Sequence, residues 1–197
     1  MYNKQDFEQM CSLYREWNGK INVISRKDID NVYEHHILHS LAILEYLRRE
    51  GESLEAQSFL DVGTGGGFPG VPLASQLPSC SFLLCDSIGK KVKVAAEVAS
   101  ALGLGNVDCV QTRAESLEGE FDWVVSRAVT SLDNFYPWVK GKYRKGILYL
   151  KGGDISGEIS ELCRKFHLNP SSIGVWPISD WLDDEYYAEK YVLRIKR

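Results

Sequence analysis

A glycine-rich stretch at residues 59–70 constrains the fold of this chain more than any other feature. An apolar run ends at Asp61, glycines follow at alternate positions from Gly63 to Gly67, and Pro69 stands where a first helical turn can begin. This order is typical of a strand, a tight turn and a helix. Glycine is needed where the backbone takes positive φ or where a ligand comes too close for a Cβ atom. The stretch therefore predicts a nucleotide-type binding loop.

Three ligand classes use such loops, and the residues exclude one of them more firmly than another. A phosphate-binding P-loop needs Lys and then Ser or Thr after its last glycine, whereas Val71-Pro72 stands there. Gly65, Gly67 and Gly70 have the intervals of the dinucleotide fingerprint. However, Gly65 comes four residues after the strand end, and Pro69 crowds the close helix packing which that fingerprint needs. The P-loop is excluded, and the dinucleotide site is disfavoured.

The D-x-G-x-G-x-G spacing from Asp61 to Gly67 instead resembles the first motif of class I S-adenosylmethionine-dependent methyltransferases. The next apolar run, 81–86, has the character of a buried strand and ends at Asp86. An acid about twenty residues after the glycines binds ribose hydroxyls in both cofactor classes. Asp86 therefore predicts a ribose without choosing between the two cofactors.

Length, composition and charge limit the remaining possibilities. The 197 residues, 44% of them hydrophobic, suit one α/β domain with a modest appendage. Five cysteines without a CxxC pair indicate reduced thiols and predict no metal site. The sequence shows neither a membrane-length apolar run nor a signal-peptide core, which predicts no membrane association and a cytoplasmic location. The net charge of −4 argues against sequence-blind binding to bare nucleic acid, so an RNA contact needs a local basic face.

Helical and extended patterns alternate along the rest of the chain. An N-terminal helical segment, 1–50, contains a helix over 4–17 that Asn18-Gly19 ends, and a second helix that a capping box at Ser25 and Asp28 begins. A polar linker leads into one compact unit, 58–197. There we expect strands ending at 61 and at 81–86, 107–112, 121–126 and 147–150, helices at 71–77, 90–102, 132–143 and 155–166, and an edge hairpin at 172–176 and 191–195. This pattern predicts a Rossmann-like, doubly wound, mainly parallel sheet with an antiparallel edge strand and its ligand site at the strands' carboxyl ends.

Short motifs over nearly the whole chain, in matching order and spacing, resemble the RsmG (GidB) family. They are Trp17-Asn18 with Asn22-Val23, His36-Ile37-Leu38, the loop 61–70, Asp86-Ser87 with Lys90-Lys91, Arg113-Ala114-Glu115, Ser126-Arg127-Ala128 and Leu150-Lys151-Gly152. The resemblance implies a class I methyltransferase that moves a methyl group from S-adenosyl-L-methionine to N7 of a guanosine in the decoding-region loop of 16S ribosomal RNA. The chain departs from the family at His39, where the motif would have an acid. The role of that acid cannot be carried over.

The resemblance also implies roles for individual residues. The expected cofactor contacts are Gly63, Gly65 and Gly67 with Phe68 at the methionine part, Asp86 at the ribose, Ala114 and Glu115 at the adenine, and Arg127. The expected RNA contacts are Arg113, Arg127 and Lys151. Arg127 and Lys151 are also the candidates for positioning the reactants, and no catalytic residue is assigned.

Guanine N7 carries a lone pair and loses no proton on attack, so we expect no general base. Catalysis then depends on in-line positioning and on electrostatics. The sequence has neither the Asn/Asp-Pro-Pro-aromatic arrangement used on exocyclic amines nor the Pro-Cys pair common in attack on pyrimidine C5. The target base must be unstacked, and the choice among Trp123, Tyr136 and Trp138 as its stacking partner stays open.

Other readings remain open at this point. A small-molecule methyltransferase would have the same loop, an NAD-dependent oxidoreductase would bind a nicotinamide, and a ribosome-binding module would lack catalysis. Three lysines at the start of one helix, Lys90, Lys91 and Lys93, fit an RNA contact or a solvated face equally well. We expect a monomer whose partner is 16S rRNA or the small ribosomal subunit. His35 and its neighbours His36 and His39 are expected to be structural.

Overall fold

A seven-stranded sheet with strand order β3-β2-β1-β4-β5-β7-β6 forms the centre of the molecule, in a computed structural model that describes residues 2–197. The strands are β1 (Ser58–Val62), β2 (Ser81–Asp86), β3 (Val107–Gln111), β4 (Phe121–Arg127), β5 (Tyr143–Gly152), β6 (Ile173–Pro177) and β7 (Lys190–Lys196). The first five are parallel, whereas β7 runs antiparallel to both β5 and β6. The predicted fold class is confirmed. The hairpin lies at the expected edge of the sheet, where the reversed strand β7 pairs with β5 and β6 is the outermost strand.

Helices cover both faces of the sheet. They are α1 (Glu8–Lys20), α2 (His39–Arg49), α3 (Gly70–Gln76), α4 (Gly89–Ala101), α5 (Leu132–Val139) and α6 (Ser156–Phe166). A π-helical segment, Val32–Leu38, leads directly into α2. Successive strand residues point to opposite faces, so Phe59 packs with α1 to α4 and Leu60 packs with α5 and α6. No helix within residues 2–197 is long and apolar enough to cross a membrane.

Three element boundaries differ from expectation, each because of a contact or a backbone conformation near the boundary itself. Helix α1 continues through Asn18-Gly19 to Lys20, because the Asn18 side chain caps the following turn and accepts the N–H groups of Val23 and Ile24. The second helical region begins at Ile29 and not at Ser25, since the Asp28 carboxylate binds two histidines instead of closing a capping box. Helix α5 ends at Val139, and β5 begins at Tyr143 after Gly141, whose φ is +83°.

The N-terminal helices share a hydrophobic core with the sheet. Tyr14, Ile37 and Leu44 are fully buried in the same cluster as Phe59 and Phe82. The division of the chain into 1–50 and 58–197 therefore stays a prediction, while side chains of both parts pack together.

The connection between β6 and β7 turns back over the N-terminal segment. It contains two short 3-10 turns, Ile178–Asp180 and Glu185–Tyr187. The hydroxyl of Tyr186 donates to the carbonyl of His35 (3.3 Å), and that of Tyr187 donates to the carbonyl of Glu34. This contact brings residues from both halves of the chain to the carboxyl ends of β4 and β5.

Candidate functional site

The glycine-rich loop after β1 forms one wall of a cavity. Gly63, Gly65 and Gly67 have φ values of +69°, +57° and +111°, which other residues rarely adopt. The N–H groups of Gly63 and Thr64 donate to the carbonyl of Cys85 at 2.9 and 3.0 Å, so the loop is fixed to the end of β2. A Cβ atom on Gly65 would have no atom within 4 Å, because this glycine borders open space. The loop thus has the shape that the glycine spacing predicted.

Asp61 stabilises this loop from beneath. Its carboxylate accepts hydrogen bonds from the Thr64 hydroxyl (2.6 Å) and the Gly70 N–H (2.8 Å), and its second oxygen has no partner within the described residues. Burial raises the pKa of Asp61 to about 7, although these hydrogen bonds oppose the rise. Asp61 therefore joins the strand end to the start of α3 and does not line the cavity.

The cavity has a volume of about 490 Å³ and lies at the carboxyl ends of β1, β2 and β4. All predicted cofactor contacts line it except Gly67, namely Gly63, Gly65, Phe68, Asp86, Ala114, Glu115 and Arg127. A Cβ atom on Gly67 would instead meet Val71 at 2.6 Å and the Tyr14 hydroxyl at 2.9 Å, so this glycine permits close packing behind the loop.

Asp86 lies where β2 ends and its two oxygens face two backbone donors. One oxygen accepts the N–H of Gly65 at 2.9 Å, and the other accepts the N–H of Ile88 at 2.8 Å. Each carboxylate oxygen keeps acceptor capacity for a ligand hydroxyl. Ile88 is 42% exposed although it is apolar, and it lines the same cavity. This residue was missed by the sequence reasoning, and its position two residues after the acid is the signal that marks it.

Together these residues fit an adenosine-type cofactor, and we call the cavity that they line the cofactor cavity after this expected ligand. The carboxylate of Asp86 suits ribose hydroxyls, the exposed side chain of Ile88 offers an apolar surface for a planar ring, and Ala114 with Glu115 stands across the cavity. The open space beside Gly65 admits a group that a side chain there would fill. Within residues 2–197, no three His, Cys, Asp or Glu side chains converge as metal ligands, and independence from a metal stays a prediction.

Arg127 lies at the end of β4 and links the sheet to the N-terminal segment. Its guanidinium donates to Nδ1 of His36 at 3.0 Å and lies 4.9 Å from the centre of the Phe68 ring. Burial lowers the pKa of Arg127, but a guanidinium remains charged in proteins. The positive charge is therefore held at the boundary of the cofactor cavity.

His36 connects Arg127 to a carboxylate on the N-terminal segment. Its Nε2 lies 2.8 Å from Asp28, whose other oxygen lies 2.6 Å from Nδ1 of His35. Burial and the charge of Arg127 lower the pKa of His36 to about 4, which leaves the ring neutral. Burial raises the pKa of Asp28, but hydrogen bonds from His35 and His36 outweigh it and lower the pKa overall. A neutral His36 protonated at Nε2 satisfies both of its partners.

The other two predicted RNA contacts differ in their surroundings. Arg113 is exposed and lines the cofactor cavity. The ammonium of Lys151 lies 2.7 Å from Glu158 and donates to the carbonyl of Thr130 at 3.0 Å, and its side chain is only 10% exposed. Lys151 is thus already paired, and its role as an RNA contact stays a prediction.

A second cavity of about 390 Å³ adjoins the first, and both are lined by Arg127 and Ala128. Its other walls come from His36, His39, Leu150, Lys151, Gly152, Tyr186 and Lys190. Neither Tyr186 nor Lys190 was expected at the site. Sequence reasoning could not place Tyr186 there, because it lies 151 residues from His35, which it contacts.

The aromatic residues left open by the sequence separate clearly in the structure. Trp123 is fully buried beneath Arg194, and Tyr136 is buried against Phe166 at 5.0 Å between ring centres. Trp138 is half-buried and lines the cofactor cavity. Trp123 and Tyr136 are therefore unavailable to a base in this conformation, whereas Trp138 and Tyr186 each border a cavity.

The sequence matches the model of the family described as rRNA small subunit methyltransferase G over residues 3–173. It is 46% identical over 198 residues to ribosomal RNA small subunit methyltransferase G of Flavobacterium psychrophilum, covering 96% of this chain and 88% of that protein. It is also 46% identical to the protein of the same name from Porphyromonas gingivalis, covering 96% of this chain and 85% of the relative.

Solved structures share the fold at low sequence identity. Magnesium protoporphyrin IX methyltransferase from Synechocystis with bound SAM superposes with a TM-score of 0.65 at 13% identity, covering 98% of this chain and 94% of that one. Ribosomal protein L11 methylase from Lactobacillus delbrueckii subsp. bulgaricus gives a TM-score of 0.59 at 18% identity, covering 80% and 77%. These likenesses support the fold and no more.

Proposed function

Because the chain belongs to the rRNA small subunit methyltransferase G family, we propose that it methylates N7 of a guanosine in the decoding-region loop of 16S ribosomal RNA. The methyl donor is S-adenosyl-L-methionine. The observation that carries the proposal is the glycine-lined cavity, which ends at Arg127 beside a second, cation-bordered cavity. A donor site and an acceptor site that adjoin each other, here at Arg127 and Ala128, are what a transfer reaction requires.

The cofactor would be held by the residues that line the first cavity. Asp86 would accept the ribose hydroxyls, and Ile88 with Ala114 would enclose the adenine. Gly63 and Gly65 would allow the methionine part to approach the backbone. When bound, the cofactor supplies an electrophilic methyl group on a positively charged sulfur.

The reaction requires the protein to position the reactants more than to transfer a proton. The N7 lone pair forms the new bond to carbon while the carbon–sulfur bond breaks, its electron pair stays on sulfur, and the positive charge passes to the purine. No proton leaves, so no general base is required. The engaged ring of His36 is consistent with this, because its two nitrogens are bound to Asp28 and Arg127.

The RNA would approach over a local basic rim. Lys91 and Arg113 border the cofactor cavity and Lys190 borders the second one, on a chain whose net charge is −4. Such cations suit contacts with phosphate groups, which position RNA without reading its sequence. The target guanine must be exposed or turned out of its stack to enter a cavity. The proposed place of action is the cytoplasm, where ribosomal subunits are assembled.

A labelling assay tests this proposal. The protein is incubated with methyl-labelled S-adenosyl-L-methionine and either naked 16S rRNA or small subunits from a strain that lacks the enzyme. We expect label in the rRNA at a single guanosine, and borohydride and aniline cleavage there identifies N7 as the methylated atom. Parallel reactions with the two substrates show whether the chain acts on free RNA or on a particle.

Three results would contradict the proposal. Label on protein or on a small molecule would indicate another acceptor class, and label at a different guanine atom would exclude the N7 reaction. Cofactor-independent binding to the subunit without any label would indicate a binding module.

A further inference from the structure

The second cavity has the size and position of a binding site for a single nucleobase. Its volume of about 390 Å³ lies in the range of small-molecule sites, roughly 300–1,000 Å³. It meets the cofactor cavity at Arg127 and Ala128, at the end of β4. A base in this cavity would thus lie beside the methyl donor.

One face of the Tyr186 ring could bind a base in this cavity if the lysine that covers it moved away. One face stacks on the His35 imidazole, with ring centres 3.6 Å apart and planes 5° apart. The ammonium of Lys190 lies 4.0 Å from the ring centre and must cover the opposite face, since the imidazole fills the first one. Within residues 2–197, no carboxylate forms a salt bridge with Lys190. A flexible lysine without an ion pair can leave the ring for a phosphate, and a purine can take its place.

His39 offers the cavity unused hydrogen-bonding groups. Its side chain is 6% exposed, and neither ring nitrogen has a hydrogen-bond partner within the described residues. Buried polar groups almost always have partners, because an unmet one costs stability. Burial, with the charges of Arg127 and Lys190, holds the pKa of His39 well below its usual value, so the ring is neutral. A neutral imidazole has one donor and one acceptor.

We infer that this second cavity receives the target guanine, which replaces Lys190 on the Tyr186 ring and donates a hydrogen bond from its N1–H to one nitrogen of His39. The inference rests on the proposed function and adds the residues that bind the base. The N1–H of guanine complements the acceptor nitrogen of the neutral imidazole, whose second nitrogen points away from this N1 edge. With that edge on His39, the N7 edge is free to face the cofactor cavity across Arg127.

The arrangement also favours the transition state over the bound substrate. As the methyl group transfers, the purine becomes positively charged and its N1–H becomes a stronger donor. A hydrogen bond from N1–H to the neutral His39 nitrogen therefore strengthens during the reaction, which is the condition for lowering the barrier. Lys190, moved onto the RNA backbone, no longer places its charge against the purine.

Two matched pairs of variants test the inference by steady-state kinetics on small ribosomal subunits. Tyr186→Ala removes the ring and should lower kcat/KM by roughly 10- to 100-fold, whereas Tyr186→Phe keeps the ring, loses only the hydroxyl that donates to His35, and should lower kcat/KM much less than Tyr186→Ala. His39→Leu removes both hydrogen-bonding groups and should lower kcat, whereas His39→Asn keeps a donor and an acceptor and should retain most of it. Neither Tyr186 nor His39 lines the cofactor cavity. Calorimetry should therefore give an unchanged Kd for S-adenosyl-L-methionine in all four variants.

Cross-linking tests the same inference on the unaltered protein. A 6-thioguanosine placed at the methylated position and irradiated with long-wavelength light should attach to the peptide that contains His39 or to the one that contains residues 184–190, since both line the second cavity. Attachment to the peptide around Trp138 instead would overturn the inference, as would full activity in both Tyr186→Ala and His39→Leu. Failure of the parent protein to methylate rRNA would reject the proposed function itself, which keeps the two outcomes apart.

Discussion

Asp86 contributes to the loop and to the ligand cavity with a single carboxylate. Each of its oxygens accepts one backbone N–H, from Gly65 on one side and Ile88 on the other. Asp86 also lines the cavity. Loss of this carboxylate would therefore remove a ligand contact and also loosen the two segments that shape the site.

We predict that Asp86→Ala weakens binding of S-adenosyl-L-methionine by about 10- to 100-fold, since a hydrogen bond to a charged group is worth about 1.5–3 kcal/mol. Calorimetric titration of the purified protein measures the change. Asp108→Ala is the matched control, because Asp108 is an exposed acid on the neighbouring strand β3 and does not line the cavity. Equal Kd values for the two variants would remove Asp86 from the cofactor site.

Residues at strand ends could be predicted from the sequence, and residues brought in by tertiary contacts could not. The positions of Gly65, Asp86 and Ala114 follow from local order, because each lies at the carboxyl end of a strand or within three residues of it, and parallel strands end at one edge. Nothing local indicates that Glu158 pairs with Lys151, or that Tyr186 reaches the N-terminal segment. Those contacts depend on how distant elements pack.

The N-terminal segment is joined to the sheet by a chain of polar contacts. Asp28 binds His35 and His36, and His36 binds Arg127 at the end of β4. The sequence indicated two helices here but misplaced the start of the second, because it assigned Asp28 to a capping box. The carboxylate's actual partners lie seven and eight residues away on the π-helical segment, a form that periodicity does not reveal.

The burial of His36 beside the charged Arg127, which lowers the pKa of the imidazole, predicts a loss of stability in mild acid. The pKa of His36 is about 4 in the folded protein against 6.5 as its ordinary value, so the unfolded chain binds a proton first as pH falls. The contribution of neutral His36 to the free energy of unfolding is fully present above pH 6.5. It is lost progressively as the pH falls towards 4, by at most about 1.4 kcal/mol per pH unit for this one group. Urea unfolding at several pH values measures it.

His36→Asn should flatten that pH dependence, since the titrating group is gone. The control is His167→Asn, because His167 is exposed and has a φ of +54°, a conformation that asparagine tolerates. If the free energy of unfolding fell equally steeply with pH in His36→Asn and in the parent protein between pH 6.5 and 4, the proposed role of His36 in the acid sensitivity would be contradicted.

The molecule as a whole is stabilised by a core that its N-terminal helices and its sheet share. Leu44 on α2 is fully buried in the cluster that also contains Phe59 and Trp123. Alternation of strands and helices along the sequence was enough to predict the sheet and its mainly parallel order. It could not show how closely the N-terminal segment packs, because an amphipathic pattern indicates which face is buried but not against what.

We predict that Leu44→Ala lowers the free energy of unfolding by about 2–5 kcal/mol in one cooperative transition. The physical reason is a cavity opened between α2 and the sheet, which weakens both at once. Denaturant unfolding followed by tryptophan fluorescence and by circular dichroism measures it. Val175→Ala is the control, because Val175 is 38% exposed on the edge strand β6 and should change little. Two separate transitions, with only the first one affected, would show that the helices unfold independently.

The walls of the second cavity come from His36 and His39 near one end of the chain and from Tyr186 and Lys190 near the other. The cofactor cavity, in contrast, draws on no residue beyond Trp138. While the polypeptide is being synthesised, the proposed donor-binding residues emerge first, and Tyr186 and Lys190, which complete the proposed base-binding cavity, emerge almost last. On this assignment, a nascent chain cannot form the complete cavity until translation of its own message is nearly finished.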